Sequence, residues 1–127
     1  MPDAKGASVE TVNLKEKFGR FSDYCNPRII GEVNDCHVKA VKLQGEFIWH
    51  HHDNEDELFL VVKGTLRMKF RDREAVVNPG EFIIVPKGTE HCPVADQEVH
   101  VVLIEPKSTL NTGNITNERT VAQLERI

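Results

Sequence analysis

The sequence has no long hydrophobic run. Its longest uninterrupted apolar stretch is Leu58 to Val62, five residues, against the ~20 that a membrane-spanning helix needs. The opening residues, Met-Pro-Asp-Ala-Lys-Gly, hold no apolar segment. No secretory signal is expected there, and a cytoplasmic location follows by default. Basic blocks are missing too: 16 Lys and Arg are dispersed among 20 Asp and Glu, for a net charge of −4. That balance argues against nucleic acid as a partner and fits a soluble chain. Paired cysteines are the last absence. Cys25, Cys36 and Cys92 are odd in number and irregularly spaced, which excludes a C-x-x-C zinc or redox motif and fits reduced thiols.

What remains is enough for one packed unit. A chain of 127 residues suits a single domain and buries roughly two-thirds of its unfolded surface. Its 39% apolar content is sufficient for a core and argues against general disorder. Residues 1–10 read as a flexible N-terminal tail and 11–127 as one domain. A short helix is expected first: Asn13 and Glu16 can form a capping box, Leu14 and Phe18 lie on one face, and Gly19 follows.

From Val38 onward the pattern is β. Thr65 to Arg71 alternates strictly, with Leu66, Met68 and Phe70 on one side and Thr65, Arg67, Lys69 and Arg71 on the other, the period of a half-buried strand. Further strands are expected over Val38–Gln44, Glu46–His52, Glu57–Lys63, Glu74–Val77, Glu81–Val85, Glu90–Val94 and Glu98–Ile104. Asn78-Pro79-Gly80 and Pro86-Lys87-Gly88 are turn sequences between them. Many short strands without a long intervening helix indicate an all-β sandwich or barrel. A weak helix is expected over Glu118–Arg126.

The chemistry concentrates in Trp49-His50-His51-His52-Asp53-Asn54-Glu55-Asp56-Glu57. In an extended segment His50 and His52 point one way and His51 the other. The same alternation puts Phe47 and Trp49 on the His51 face, an aromatic patch that a second copy of the chain would cover, so a homodimer is expected. A four-residue loop returns the chain so that Glu57 can sit opposite the histidine pair. A second segment, Gly80 to His91, reads as turn, strand, Pro-x-Gly turn and histidine. His91 reaches the same pocket if the sheet curls. Arg67, Lys42 and Gln44 are further polar candidates for that pocket.

These two segments resemble the motifs of the cupin superfamily, in particular its small single-domain, conserved-barrel members. Gly45, His50, His52, Glu57 after four residues and Gly64 after six follow the first motif. Gly80, five residues, Pro86-Lys87-Gly88, two residues and His91 follow the second. The resemblance spans residues 45–95. It departs from the family at Gly45, one residue nearer His50 than usual, and at Ala95, which stands where the family has Asn. It implies a double-stranded β-helix (jelly-roll) barrel with its core at about 38–105 and a site of three histidines and one glutamate. One divalent transition metal ion (Zn, Fe, Mn, Ni or Co) is expected on His50, His52, Glu57 and His91, since imidazole plus carboxylate without thiolate suits these ions. It also implies a small-molecule ligand or substrate. The expected function is a metal-dependent enzyme acting on a small sugar or organic acid, of isomerase, lyase or dioxygenase type, with Glu57 moving a proton. A non-catalytic ligand-binding module is the alternative.

Overall fold

The computed structural model describes residues 9–127, and residues 1–8 lie outside it. The expected tail therefore falls outside the described residues, apart from Val9 and Glu10, which are exposed. A short helix α1 (Leu14–Phe18) is followed by seven strands: β1 (Arg28–Val33), β2 (Cys36–Glu46), β3 (Glu57–Lys63), β4 (Leu66–Phe70), β5 (Glu74–Val77), β6 (Phe82–Val85) and β7 (His91–Pro106). Asn13 caps α1 as its sequence suggests, its side-chain oxygen accepting from the Glu16 N–H at 3.0 Å. The Glu16 carboxylate does not complete a capping box; it binds Arg20 one turn on.

All strand pairings are antiparallel. One path runs β1-β2-β7-β3-β6, and β4 joins β7 on one side and β5 on the other. The curl comes from β7. Its first residues, His91 to Val94, pair with β4, while its later ones, His100 to Ile104, pair with β3. β2 accompanies nearly its whole length. A single long strand thus belongs to both walls and rolls the sheet into an all-β barrel.

Alternation along β2 explains the two cores. Val41 and Leu43 face inward and pack with Phe59, Val61, Met68, Val101 and Leu103. Ala40, on the opposite face, packs with Val102 and with Phe18 of α1. The helix therefore covers the outer face of the sheet and never touches the barrel interior.

Four sequence expectations need correction. β1 goes unforeseen, although Asn34-Asp35 between Val33 and Cys36 makes a two-residue hairpin loop in which Asn34 adopts φ +52°, a backbone shape asparagine tolerates. The strands expected at Glu90–Val94 and Glu98–Ile104 are one continuous strand, with Asp96-Gln97-Glu98 accommodated where the register shifts opposite Leu43–Gly45. The expected strand Glu46–His52 ends at Glu46, and beyond it the Phe47 N–H donates to the Pro93 carbonyl at 3.0 Å and His50 bridges to His91. Finally, Glu118–Arg126 is not helical. Side chains hold this stretch as loops: Asn117 Oδ1 accepts from the Arg119 N–H, Thr120 Oγ1 from the Asn117 N–H and Asn111 Oδ1 from the Val121 N–H. Local side-chain partners of this kind compete with helical hydrogen bonds.

Among the described residues no helix is long and apolar enough to cross a membrane.

Candidate metal centre

Glu57 opens β3, and His91 opens β7 on the facing wall. His50 is held against His91 by a reciprocal pair of backbone bonds: His50 N–H donates to the His91 carbonyl at 3.1 Å and His91 N–H to the His50 carbonyl at 2.9 Å. His52 is pinned two residues on, where its carbonyl accepts from the Gly88 N–H at 2.7 Å. The structure thus brings His50, His52, Glu57 and His91 together, each at most 4% exposed. One donor atom from each lies within 4.8 Å of all the others.

The rings are oriented from behind. His50 Nδ1 meets the Ile48 carbonyl at 2.9 Å and His91 Nδ1 meets the Thr89 carbonyl at 2.8 Å. A ring nitrogen facing a carbonyl carries a proton, so each ring turns its Nε2 toward the cluster, where His91 Nε2 meets the Glu57 carboxylate. Glu57 Oε1 lies 2.8 Å from His52 Nε2 and 3.1 Å from His91 Nε2. The His52 contact is badly directed, leaving that buried nitrogen without a true hydrogen bond. Buried polar atoms rarely stay unpaired.

The C-terminal segment presses on this cluster from outside. His51 turns away from it: its ring meets Asp53 at 2.9 Å, its N–H donates to Asn114 Oδ1 at 2.9 Å, and its carbonyl accepts from the Asn114 N–H at 3.0 Å.

A model of the cupin domain matches residues 38–105, more than half of the chain. The protein belongs to the cupin family. It is 43% identical to a cupin-2 domain containing protein from Shewanella frigidimarina NCIMB 400, aligning over 76% of this chain and 95% of that one with a TM-score of 0.76. It is 32% identical to protein NMB1881 from Neisseria meningitidis, over 77% of this chain and all of that one (100%), with a TM-score of 0.71. It is also similar to uncharacterized protein YdbB of Bacillus subtilis (strain 168), 43% identical over 79 residues, or 61% of this chain. That match spans 64% of YdbB, just under two-thirds of its length.

The donor set of this cupin fits a divalent transition metal. Burial and then the neighbouring His91 push the His50 pKa down to about 4, so His50 is neutral and able to ligate at neutral pH. Burial alone would raise the Glu57 carboxyl, but its contacts with His52 and His91 outweigh it and hold the group below the usual carboxylate range. Three imidazoles and an ionised carboxylate, one nitrogen among them lacking a partner, are what such a cation would satisfy.

Beside the cluster lies a narrow cavity that opens to solvent. His50 and Glu57 form part of its wall, and Val41, Leu43, Phe59 and Leu103 supply apolar surface. Phe47 also lines it, with its ring 5.6 Å from that of His50. This corrects the expectation that Phe47 and Trp49 form an outward patch. The segment leaves the ladder after Glu46, so strict alternation lapses. Both aromatics are half-buried, with the Arg119 guanidinium 5.7 Å from the Phe47 ring and the Arg71 guanidinium 3.8 Å from that of Trp49. This chain's own arginines thus supply part of the cover, and both rings stay partly exposed.

None of the three polar residues expected in the pocket lines this cavity. Arg67 pairs with Glu74 and Asp96 on the surface. Lys42 lies on the outer face and donates to the Phe21 carbonyl at 2.6 Å. Gln44 is exposed. The polar residues that do line it, Glu105 and Asn111, were not anticipated. Glu105 was detectable from pattern alone, because it shares the inward parity of Val101 and Leu103.

Proposed function

We propose that this cupin binds one divalent transition metal ion through His50, His52, Glu57 and His91 and acts as an enzyme on a small polar metabolite, a sugar or an organic acid. The observation that carries the reading is the burial of three imidazoles and a carboxylate with converging donor atoms at the wall of a largely apolar cavity. Burying such groups without a compensating charge costs several kcal/mol. When bound, the ion would act as a Lewis acid toward a ligand carbonyl, carboxylate or hydroxyl oxygen. The chain supplies the rest. The His50 and His91 rings are held in orientation by the carbonyls of Ile48 and Thr89. The apolar walls keep water from the ligand's carbon skeleton. Glu57, ionised at neutral pH, serves as a base rather than an acid.

Elemental analysis of the purified protein tests the metal, with one ion per chain expected in the wild type and none in His50→Ala/His91→Ala. Turnover screens with sugar phosphates and keto acids, with and without O₂, test the enzyme. Equal turnover by the wild type and the double variant would overturn metal-dependent catalysis.

A further inference from the structure

A lysine–glutamate pair is buried inside the barrel beside the metal centre, where burial and then the Glu57 carboxylate push the Glu105 carboxyl well above the usual range. Lys39 and Glu105 are 2% and 3% exposed, and Lys39 Nζ lies 3.2 Å from Glu105 Oε1. Both occupy inward positions, Lys39 in register with Leu103 on β7 and Glu105 with His37 on β2. Stability alone is a poor reason for such a pair, since apolar side chains of similar volume serve a core as well or better. Glu105 Oε2 has no hydrogen-bond partner among the described residues. Glu105 stands on the wall of the same cavity as His50 and Glu57, and Lys39, which is not part of that wall, holds the other Glu105 oxygen.

We propose that Glu105, backed by Lys39, is a second anchor for the ligand, selecting molecules that carry a hydroxyl on the carbon skeleton beside the oxygen that meets the metal centre. The inference rests on the reading of His50, His52, Glu57 and His91 as a metal site that takes an oxygen ligand. Three considerations lead to a hydroxyl. A ligand ammonium would meet the Lys39 charge, and a ligand carboxylate at this end would face both Glu105 and Glu57. A hydroxyl both donates and accepts, so it pairs with Glu105 whichever way the carboxyl is protonated. The remaining cavity wall, Val41, Leu43, Phe59 and Leu103, takes the carbon skeleton. The ligand class is therefore a small hydroxy acid or a sugar-like hydroxy-carbonyl compound. Leaving such a group unpaired in a buried site is what makes hydroxyl recognition selective.

The test is a titration of the cobalt(II)-loaded full-length protein with 3-hydroxypropionate and with propionate, read from the visible absorption of the metal. The wild type should bind the hydroxy acid about tenfold more tightly, the size of one hydrogen bond to a charged group. In Lys39→Met/Glu105→Leu, which leaves no unpaired buried charge, the preference should fall to about twofold or less while propionate binds as before. Lys39→Met/Glu105→Met should do the same and serves if the first double variant does not fold. No preference in the wild type, or a full preference surviving in the variants, overturns the role of Glu105. Failure of folded wild type to take up cobalt, or a spectrum that neither acid alters, refutes the metal reading itself and this inference with it.

Discussion

Replacing Gly113 with alanine should damage this protein far more than replacing Gly80. Both glycines have left-handed backbone, φ +58° and +83°, where a residue with a Cβ is strained by about 1–2 kcal/mol. They differ in their surroundings. A Cβ on Gly80 would meet nothing within 4 Å, whereas one on Gly113 would fall 2.2 Å from the His51 carbonyl oxygen and 3.0 Å from His50 Cδ2. Backbone oxygen cannot swing aside, so the C-terminal segment must retreat. Retreat breaks the two bonds joining Asn114 to the His51 backbone, each contributing about 1 kcal/mol. Gly113→Ala should therefore lose about 3–4 kcal/mol and Gly80→Ala about 1–2 kcal/mol. Urea unfolding of the metal-free proteins measures both, and competition with a chelator should show weaker metal binding for Gly113→Ala alone. Equal losses for the two variants would refute the claim that the segment bears on the histidines.

Acid should weaken the metal-free protein through His50. Its pKa is 6.5 as a free side chain and about 4 in the fold, so between those values the unfolded chain binds the extra proton. The His50 contribution is intact above pH 6.5 and about 3 kcal/mol is lost as pH falls to about 4; urea unfolding followed by Trp49 fluorescence should show the slope, and a flat profile contradicts it. Lys39→Met, which strips Glu105 of its buried partner, should cost about 3 kcal/mol, and adding Glu105→Leu should recover most of it; calorimetry that finds the two losses additive rules this out. Phe18→Ala should cost about 3–4 kcal/mol by hollowing the outer cluster. It should leave metal content per chain unchanged, because α1 lies outside the barrel.

The ligand cluster is legible because its spacing is local. His50 and His52 two apart, a short polar loop and then Glu57 form a signal within eight residues, and the Pro-x-Gly turn before His91 supplies the rest. The β class is legible from the alternation of Thr65–Arg71. The 47–52 segment is not, since leaving the ladder after Glu46 depends on how β7 accompanies β2, and nothing near Phe47 encodes that. Lys39 and Glu105 sit on core parity, so their burial was readable, but their pairing joins strands 66 residues apart. The C-terminal segment conceals most. Its Asn, Thr and Gly residues look like any surface loop, and only the fold shows Thr112 fully buried and Asn114 locked to His51.

The reciprocal backbone bridge between His50 and His91 owes nothing to an ion. With those two imidazoles already fixed by main chain and carbonyls, an ion would find both in place. Such a rigid nest of nitrogen and oxygen donors follows the general affinity order of divalent ions and leaves the choice to supply. Preparations grown in media of different trace-metal content should then carry different ions in the same fold, so the occupant of one purified batch records the medium it came from.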